Sequence, residues 1–128
     1  MVTAAVLISN GKLLIAKRRS GSHGGGRWEF PGGKLEYGED TKDCLVREIR
    51  EEIGCSIRVE SLYDVSSHIY PDGRHYVIIF YRCAIADGEP KALEHEEVKW
   101  VKLSDLKDYE FVGADKEVAA KLRSVELV

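Results

Sequence analysis

Hydrophobic positions along this chain form short continuous or alternating runs, broken by two stretches with helical spacing. Val2 to Ile8 is an apolar run of strand length, which predicts a buried strand. Asn10-Gly11 follows, a dipeptide that tolerates the left-handed backbone of a tight hairpin, and Lys12 to Lys17 reads as the returning strand. Ser20 to Gly26 holds four glycines and predicts a mobile loop. Trp28 to Phe30 reads as a short strand stopped by Pro31-Gly32-Gly33. Asp40 suits a helix N-cap, with Asp43 three residues on, and Gly54 suits the C-cap, so a helix is expected to end near Ile53. Ser56 to Ser67 and His75 to Ala86 predict two strands around a Pro71-Asp72-Gly73 turn. Val98 to Leu103 predicts another strand, Ser104 to Leu106 a helical turn, and Ala114 to Leu122 a final amphipathic helix. No repeat, low-complexity tract or linker divides the 128 residues. The expectation is one α/β domain over residues 1–128, a mixed sheet with helices on both faces.

Composition narrows the class. At 44% hydrophobic and 32% charged residues the chain resembles ordinary soluble globular proteins. No apolar run approaches the roughly 18 residues that span a bilayer. The first apolar run is also too short for a secretory leader and lacks a basic start. A cytoplasmic protein without a membrane partner is expected. Cys44, Cys55 and Cys83 fall inside apolar patterns with no CxxC spacing, so they read as core residues. A net charge of -3 argues against DNA or long RNA as partners, whereas a small phosphorylated ligand needs only a few local cations.

The expected helix before Gly54 carries the candidate chemistry. At about 100° per residue, Leu45, Val46, Ile49 and Ile53 share one face. Glu48, Glu51 and Glu52 share a neighbouring face, at spacings where like charges repel by a few tenths of a kcal/mol per pair. A hard divalent cation reverses that repulsion, because it takes carboxylate oxygens. Glu39 adds a carboxylate from the preceding loop, and Arg47 is placed to orient a glutamate through a bidentate pair. A plain solvated charged face is the alternative. Gly32-Gly33 just upstream lets backbone approach a phosphate without a Cβ in the way.

The full string is Gly33, five residues, Glu39, seven residues, then Arg47-Glu48-Ile49-Arg50-Glu51-Glu52-Ile53-Gly54-Cys55. It resembles the Nudix box, and every fixed position matches; only Cys55 stands where a bulkier aliphatic is usual. Trp28 to Lys34, Gly88-Glu89-Pro90, Glu94 to Glu97 and Trp100-Val101 extend the resemblance to MutT-like nucleotide pyrophosphohydrolases.

The resemblance implies a Nudix-type α/β/α sandwich with a central mixed sheet. It also implies hydrolysis of a nucleoside diphosphate linked to another group, with Mg²⁺ or Mn²⁺ bridging enzyme and phosphates. By position, Glu48, Glu51 and Glu52 are the implied metal ligands, with Gly33 as a backbone ligand or contact. Arg47 is an implied orienting partner and Glu39 a supporting one. The base that activates water stays open between Glu48 and Glu94, and Glu94 equally suits a metal ligand. A solvated acidic loop remains the plain reading of Glu94, Glu96 and Glu97.

For the substrate, Arg18 and Lys34 are the preferred cations to meet a triphosphate, and Phe30, Tyr76 and Phe80 the candidate apolar surfaces for a base. Phe111 to Asp115 resembles the base-reading segment of MutT-like enzymes. Those selective for oxidised guanine can carry Asn where this chain has Asp115, which argues against strict selectivity of that kind. An ionised Asp115 only accepts hydrogen bonds and suits an exocyclic amino group such as that of cytosine, or a ring N–H. A plain helix N-cap is the second reading of Asp115. The Arg18-to-Gly24 loop and His75-Tyr76-Val77 also resemble nucleoside triphosphate diphosphatases of broad scope. The expected activity is hydrolysis of a nucleoside or deoxynucleoside triphosphate to the monophosphate and pyrophosphate, with cytidine-type or modified nucleotides first. An ADP-ribose or nucleotide-sugar pyrophosphatase and a non-catalytic nucleotide-binding sensor are the alternatives. A monomer and a homodimer are both compatible with the sequence.

Overall fold

The Asn10-Gly11 signal is realised first, since both residues have positive φ, 53° and 76°. That turn joins β1 (Val2–Ser9) to β2 (Lys12–Lys17) as an antiparallel hairpin. The computed structural model describes residues 1–22 and 24–126. The further elements are β3 (Trp28–Glu29), β4 (Gly32–Lys34), α1 (Thr41–Ile53), β5 (Ser56–Ile69), β6 (His75–Asp87) and β7 (Glu97–Lys102). A 3-10 turn (Leu103–Asp108) and α2 (Asp115–Glu126) follow. His23, part of the glycine-rich loop, lies outside the described residues.

The strands order β3-β2-β1-β6-β5, with β4 added to β1 and β7 to β2. β1 and β6 run parallel from Val2–Ile78 to Leu7–Cys83, and the other pairings are antiparallel. The sheet is therefore mixed.

Alternation along β1 decides which helix covers which face. Ala4 and Val6 pack with Leu13, Ile15 and the α2 residues Val118, Ala119 and Leu122. Ala5 and Leu7 point the other way and pack with Leu14 and the α1 residues Leu45, Ile49 and Ile53. Successive strand side chains face opposite sides, so α1 and α2 lie on opposite faces of an α/β/α sandwich. The three cysteines are buried free thiols, as the apolar pattern predicts. Among the described residues no helix is long and apolar enough to cross a membrane.

Several boundaries differ from the sequence pattern: α2 runs from Asp115 to Glu126 rather than from Ala114 to Leu122, β3 ends at Glu29 and β7 at Lys102, and three further differences have a visible cause. Gly32 and Gly33 do not merely stop a strand: with Lys34 they form β4, hydrogen-bonded to Val2–Ala4. A Cβ on Gly32 would collide with the Thr3 carbonyl, so glycine is what lets β4 approach β1 so closely. The β5–β6 hairpin runs further than its polarity suggests, to Ile69 on one strand and Asp87 on the other. Cross-strand pairing extends His68–Tyr76 and Ile69–His75 beyond the apolar core. Strand β7 begins at Glu97, one residue early, because Glu97 pairs with Lys17 of β2.

Candidate active site

Helix α1 is fixed at both ends. The Asp40 carboxylate accepts the Lys42 N–H at 2.8 Å, and Gly54, at φ 75°, donates its N–H to the Arg50 carbonyl. Its buried face rests on the sheet. Its flank then meets β4, where Gly33 abuts the Glu48 carboxyl group so closely that a Cβ there would overlap it. The loop from Glu36 to Glu39 closes over the same flank, with Glu39 Oε1 accepting the Glu36 N–H.

Arg47 is the hub of this flank. Its Nε meets Glu39 Oε2 at 2.8 Å and its Nη2 meets Glu39 Oε1 at 3.0 Å, a bidentate pair. Nη1 meets Glu48 Oε1 at 2.9 Å and Glu51 Oε2 at 3.4 Å. The Arg47 guanidinium holds the Glu39 carboxyl down at about 2. The same contacts, led by Glu39, raise Arg47 further above its already high value. Arg47 thus stays charged and fixes the carboxylates on either side of it.

Glu52, on the same helix, shares a hydrogen bond with Glu48 and is buried. It is 7% exposed, and its Oε1 is buried with no hydrogen-bond partner among the described residues. Burial, a hydrogen bond with Glu48 and the charges of Glu29, Glu48 and Glu94 push its carboxyl up to about 9. Beside it lies buried His95, whose Nε2 is 2.7 Å from Glu29 Oε2 and 3.8 Å from Glu52 Oε1. Arg18, Arg19, Ser22, Glu29, Glu52, Glu94 and His95 line a shallow cleft of about 250 Å³ here.

Among the described residues no three His, Cys, Asp or Glu side chains close around one point as a formed metal cage. The donor chemistry nonetheless fits a hard cation. Oxygen donors predominate, Glu52 Oε1 is orphaned and buried, and a positive ion would relieve both its burial and the repulsion it feels from Glu29, Glu48 and Glu94.

A second hollow of about 340 Å³ opens on the other side of Glu29 and Arg18. Phe30, Tyr70, Tyr76 and Ile78 give it apolar walls, and Arg18, Glu29, Lys34, Arg74 and Asp115 are its charged groups. Lys34 Nζ lies 5.5 Å above the Tyr76 ring and the Arg74 guanidinium 5.9 Å from it. At the floor, Asp115 Oδ2 accepts the Phe30 N–H at 3.0 Å. Burial pushes the Asp115 carboxyl up to about 8, against the pull of that hydrogen bond.

The model of the NUDIX domain matches residues 1–122. The chain belongs to the Nudix family. The 8-oxo-dGTP diphosphatase of Escherichia coli (strain K12) is 34% identical over 114 residues, covering 89% of this chain and 88% of its own. The CTP pyrophosphohydrolase of the same strain is also 34% identical over 114 residues, covering 89% and 84%. Among solved structures, a MutT NUDIX hydrolase from Burkholderia pseudomallei superposes with TM-score 0.81 at 28% identity, covering 93% and 94%.

Within this Nudix fold, Arg47, Glu48, Glu39 and Gly33 come together as one unit. Glu51 is exposed beside Arg47, and Glu94 is exposed at the cleft that holds Glu52. Arg18, Lys34, Phe30, Tyr76 and Asp115 all line the larger hollow. Phe80 does not: it is fully buried in the core, its ring edge-on to Phe30 at 5.8 Å. An inward-facing aromatic on a central strand has core on both sides, and periodicity cannot distinguish that from a pocket wall. The N-cap reading of Asp115 also gives way: Asp115 is the first residue inside α2, and one oxygen of its carboxylate accepts the N–H of Phe30, 85 residues away. Sequence reasoning missed Glu29, Tyr70, Arg74 and His95. Glu29 and His95 fall inside the runs Trp28 to Lys34 and Glu94 to Glu97 that extend the resemblance, and Tyr70 and Arg74 flank the 71–73 turn.

Proposed function

We propose that this protein acts as a single Nudix domain that hydrolyses nucleoside or deoxynucleoside triphosphates to the monophosphate and pyrophosphate. Mg²⁺ is its cofactor, replaceable by Mn²⁺, and cytidine-type or modified nucleotides are its preferred substrates. The same reading places it in the cytoplasm, acting on the nucleotide pool. The observation that carries the reaction is the orphaned, carboxylate-crowded Glu52 oxygen beside a hollow with three cations, Arg18, Lys34 and Arg74, and a base-edge reader. Both Escherichia coli relatives are named for triphosphates, 8-oxo-dGTP and CTP.

In this reading Glu48, Glu51, Glu52 and Gly33 hold the cation, which when bound neutralises charge on the phosphate oxygens. Arg47 keeps Glu48 and Glu51 aimed. Water attacks phosphorus, the P–O bond to the leaving group breaks with its electron pair on oxygen, and one proton is released. Glu94 receives that proton, because Glu48 is already held at 2.9 Å by Arg47. Arg18 and Lys34 steady the triphosphate. Tyr76 and Phe30 flank the base.

Asp115 supports the cytidine preference in a modified form. A carboxyl raised to about 8 is mostly protonated at neutral pH, so it donates as well as accepts. Cytosine presents an amino donor next to a ring acceptor, which such a group matches.

The deciding experiment is a panel of CTP, dCTP, 5-methyl-dCTP, 8-oxo-dGTP, ADP-ribose and a UDP-sugar with Mg²⁺, with products identified. Triphosphates should yield the monophosphate and pyrophosphate. Cleavage of ADP-ribose or the UDP-sugar alone would replace this reading with the nucleotide-diphosphate one. Binding without turnover would replace it with the sensor.

A further inference from the structure

One imidazole lines the carboxylate cleft, which shares Arg18 and Glu29 with the larger hollow. His95 is 8% exposed and wedged between Glu29 and Glu52. A carboxylate only accepts, so the 2.7 Å contact with Glu29 Oε2 places the proton on Nε2. His95 Nδ1 is buried with no hydrogen-bond partner among the described residues. The loop that carries the ring is tied on both sides. Lys91 and Leu93 donate N–H groups to the Ile53 and Glu52 carbonyls at the end of α1, and Glu96 donates to the Lys17 carbonyl at the end of β2. The other oxygen of Glu29 meets Arg18 Nη1 at 3.4 Å, and Arg18 lines both the cleft and the hollow.

We propose that His95 is a positioning residue. Its N–H fixes the Glu29 carboxylate toward Arg18, so that Arg18 is held at the boundary where the triphosphate enters, and Glu29 is kept from turning to the cation beside Glu52. Without this bond Glu29 is a free carboxylate next to a metal site, able to compete for the cation and to release Arg18. The inference rests on the triphosphate reading above.

The test compares His95→Phe, His95→Gln, Glu29→Gln and the double variant His95→Phe/Glu29→Gln on the full chain with Mg²⁺ and dCTP. His95→Phe should raise KM about tenfold, the scale of one lost hydrogen bond to a charged group, with kcat within about threefold. His95→Gln, which keeps an N–H donor, should recover most of it. The double variant should be no worse than Glu29→Gln alone, since His95 acts through Glu29. A substrate-free readout runs beside this: ¹⁵N NMR of the imidazole should show Nε2 protonated with slowed proton exchange, lost in Glu29→Ala, which removes the acceptor that glutamine would keep. That readout serves even where His95→Phe fails to fold. Additive KM losses, a loss confined to kcat, no difference between Phe and Gln, or a spectrum indifferent to Glu29 would each overturn the proposal. Absence of turnover on every triphosphate, with the NMR signature intact, would instead overturn the triphosphate reading and with it the positioning role.

Discussion

The Asp115 carboxylate accepts the Phe30 N–H at 3.0 Å, joining the start of α2 to the segment between β3 and β4. This bond fixes the floor of the hollow and leaves Asp115 buried with its carboxyl pushed up to about 8. A folded-state value above the unfolded one means the unfolded chain ionises first as pH rises. Stability attached to this group is therefore full below about pH 4 and declines up to about pH 8. Asp115→Asn removes the titration. Its melting temperature should rise relative to the parent between pH 5 and pH 8, read by circular dichroism, and its base preference should change in the same panel of nucleotides.

Glu39 gives the opposite sign. Arg47 holds its carboxyl at about 2, so the pair stabilises above about pH 4.5 and is lost as pH falls toward 2. Arg47→Met should melt below the parent at pH 7, and the gap should close in acid. Arg47→Lys should restore little turnover, because lysine cannot reproduce a bidentate fork.

Metal removal should arrest the reaction, and Mg²⁺ or Mn²⁺ should restore it. Glu51→Gln and Glu52→Gln should each lower kcat by about a hundredfold or more, the scale of losing a catalytic group. The cation should also raise the melting temperature of the parent and raise it less in both variants. Variants with full turnover would remove these residues from the site.

The two adjacent glycines should respond differently. Gly32→Ala pushes a Cβ into the Thr3 backbone and should destabilise the fold, seen as a lower melting temperature. Gly33→Ala pushes a Cβ into the Glu48 carboxyl, which can move. It should stay folded and lose most of its turnover.

Phe80→Ala should cost about 3–5 kcal/mol of stability, as for other buried aromatics, with KM little changed among molecules that fold. Tyr76→Ala should do the reverse, raising KM while leaving the denaturation midpoint near the parent's.

Much of this was legible in the sequence because the causes are local. Asn10-Gly11 demands a left-handed turn, Asp40 and Gly54 bracket α1, and the 33–55 spacing places Glu48, Glu51 and Glu52 together on one helix. What escaped depends on partners distant in sequence. The β4 strand exists only because glycine at 32 tolerates the Thr3 carbonyl. His95 acquires meaning only from Glu29, 66 residues earlier. Phe80 and Phe30 look alike as aromatic strand residues, and only the layering of the sheet assigns one to the core and the other to a wall.

The separation of α1 and α2 on opposite faces of the sheet has an evolutionary consequence. The reacting end and the recognising end are carried by different elements, joined mainly through β3 and its neighbours. Drift at positions 112–115, 70 and 76 can retune which molecule is accepted without disturbing the acidic helix. A lineage built on this plan can hold its reaction constant while sampling new substrates one wall residue at a time.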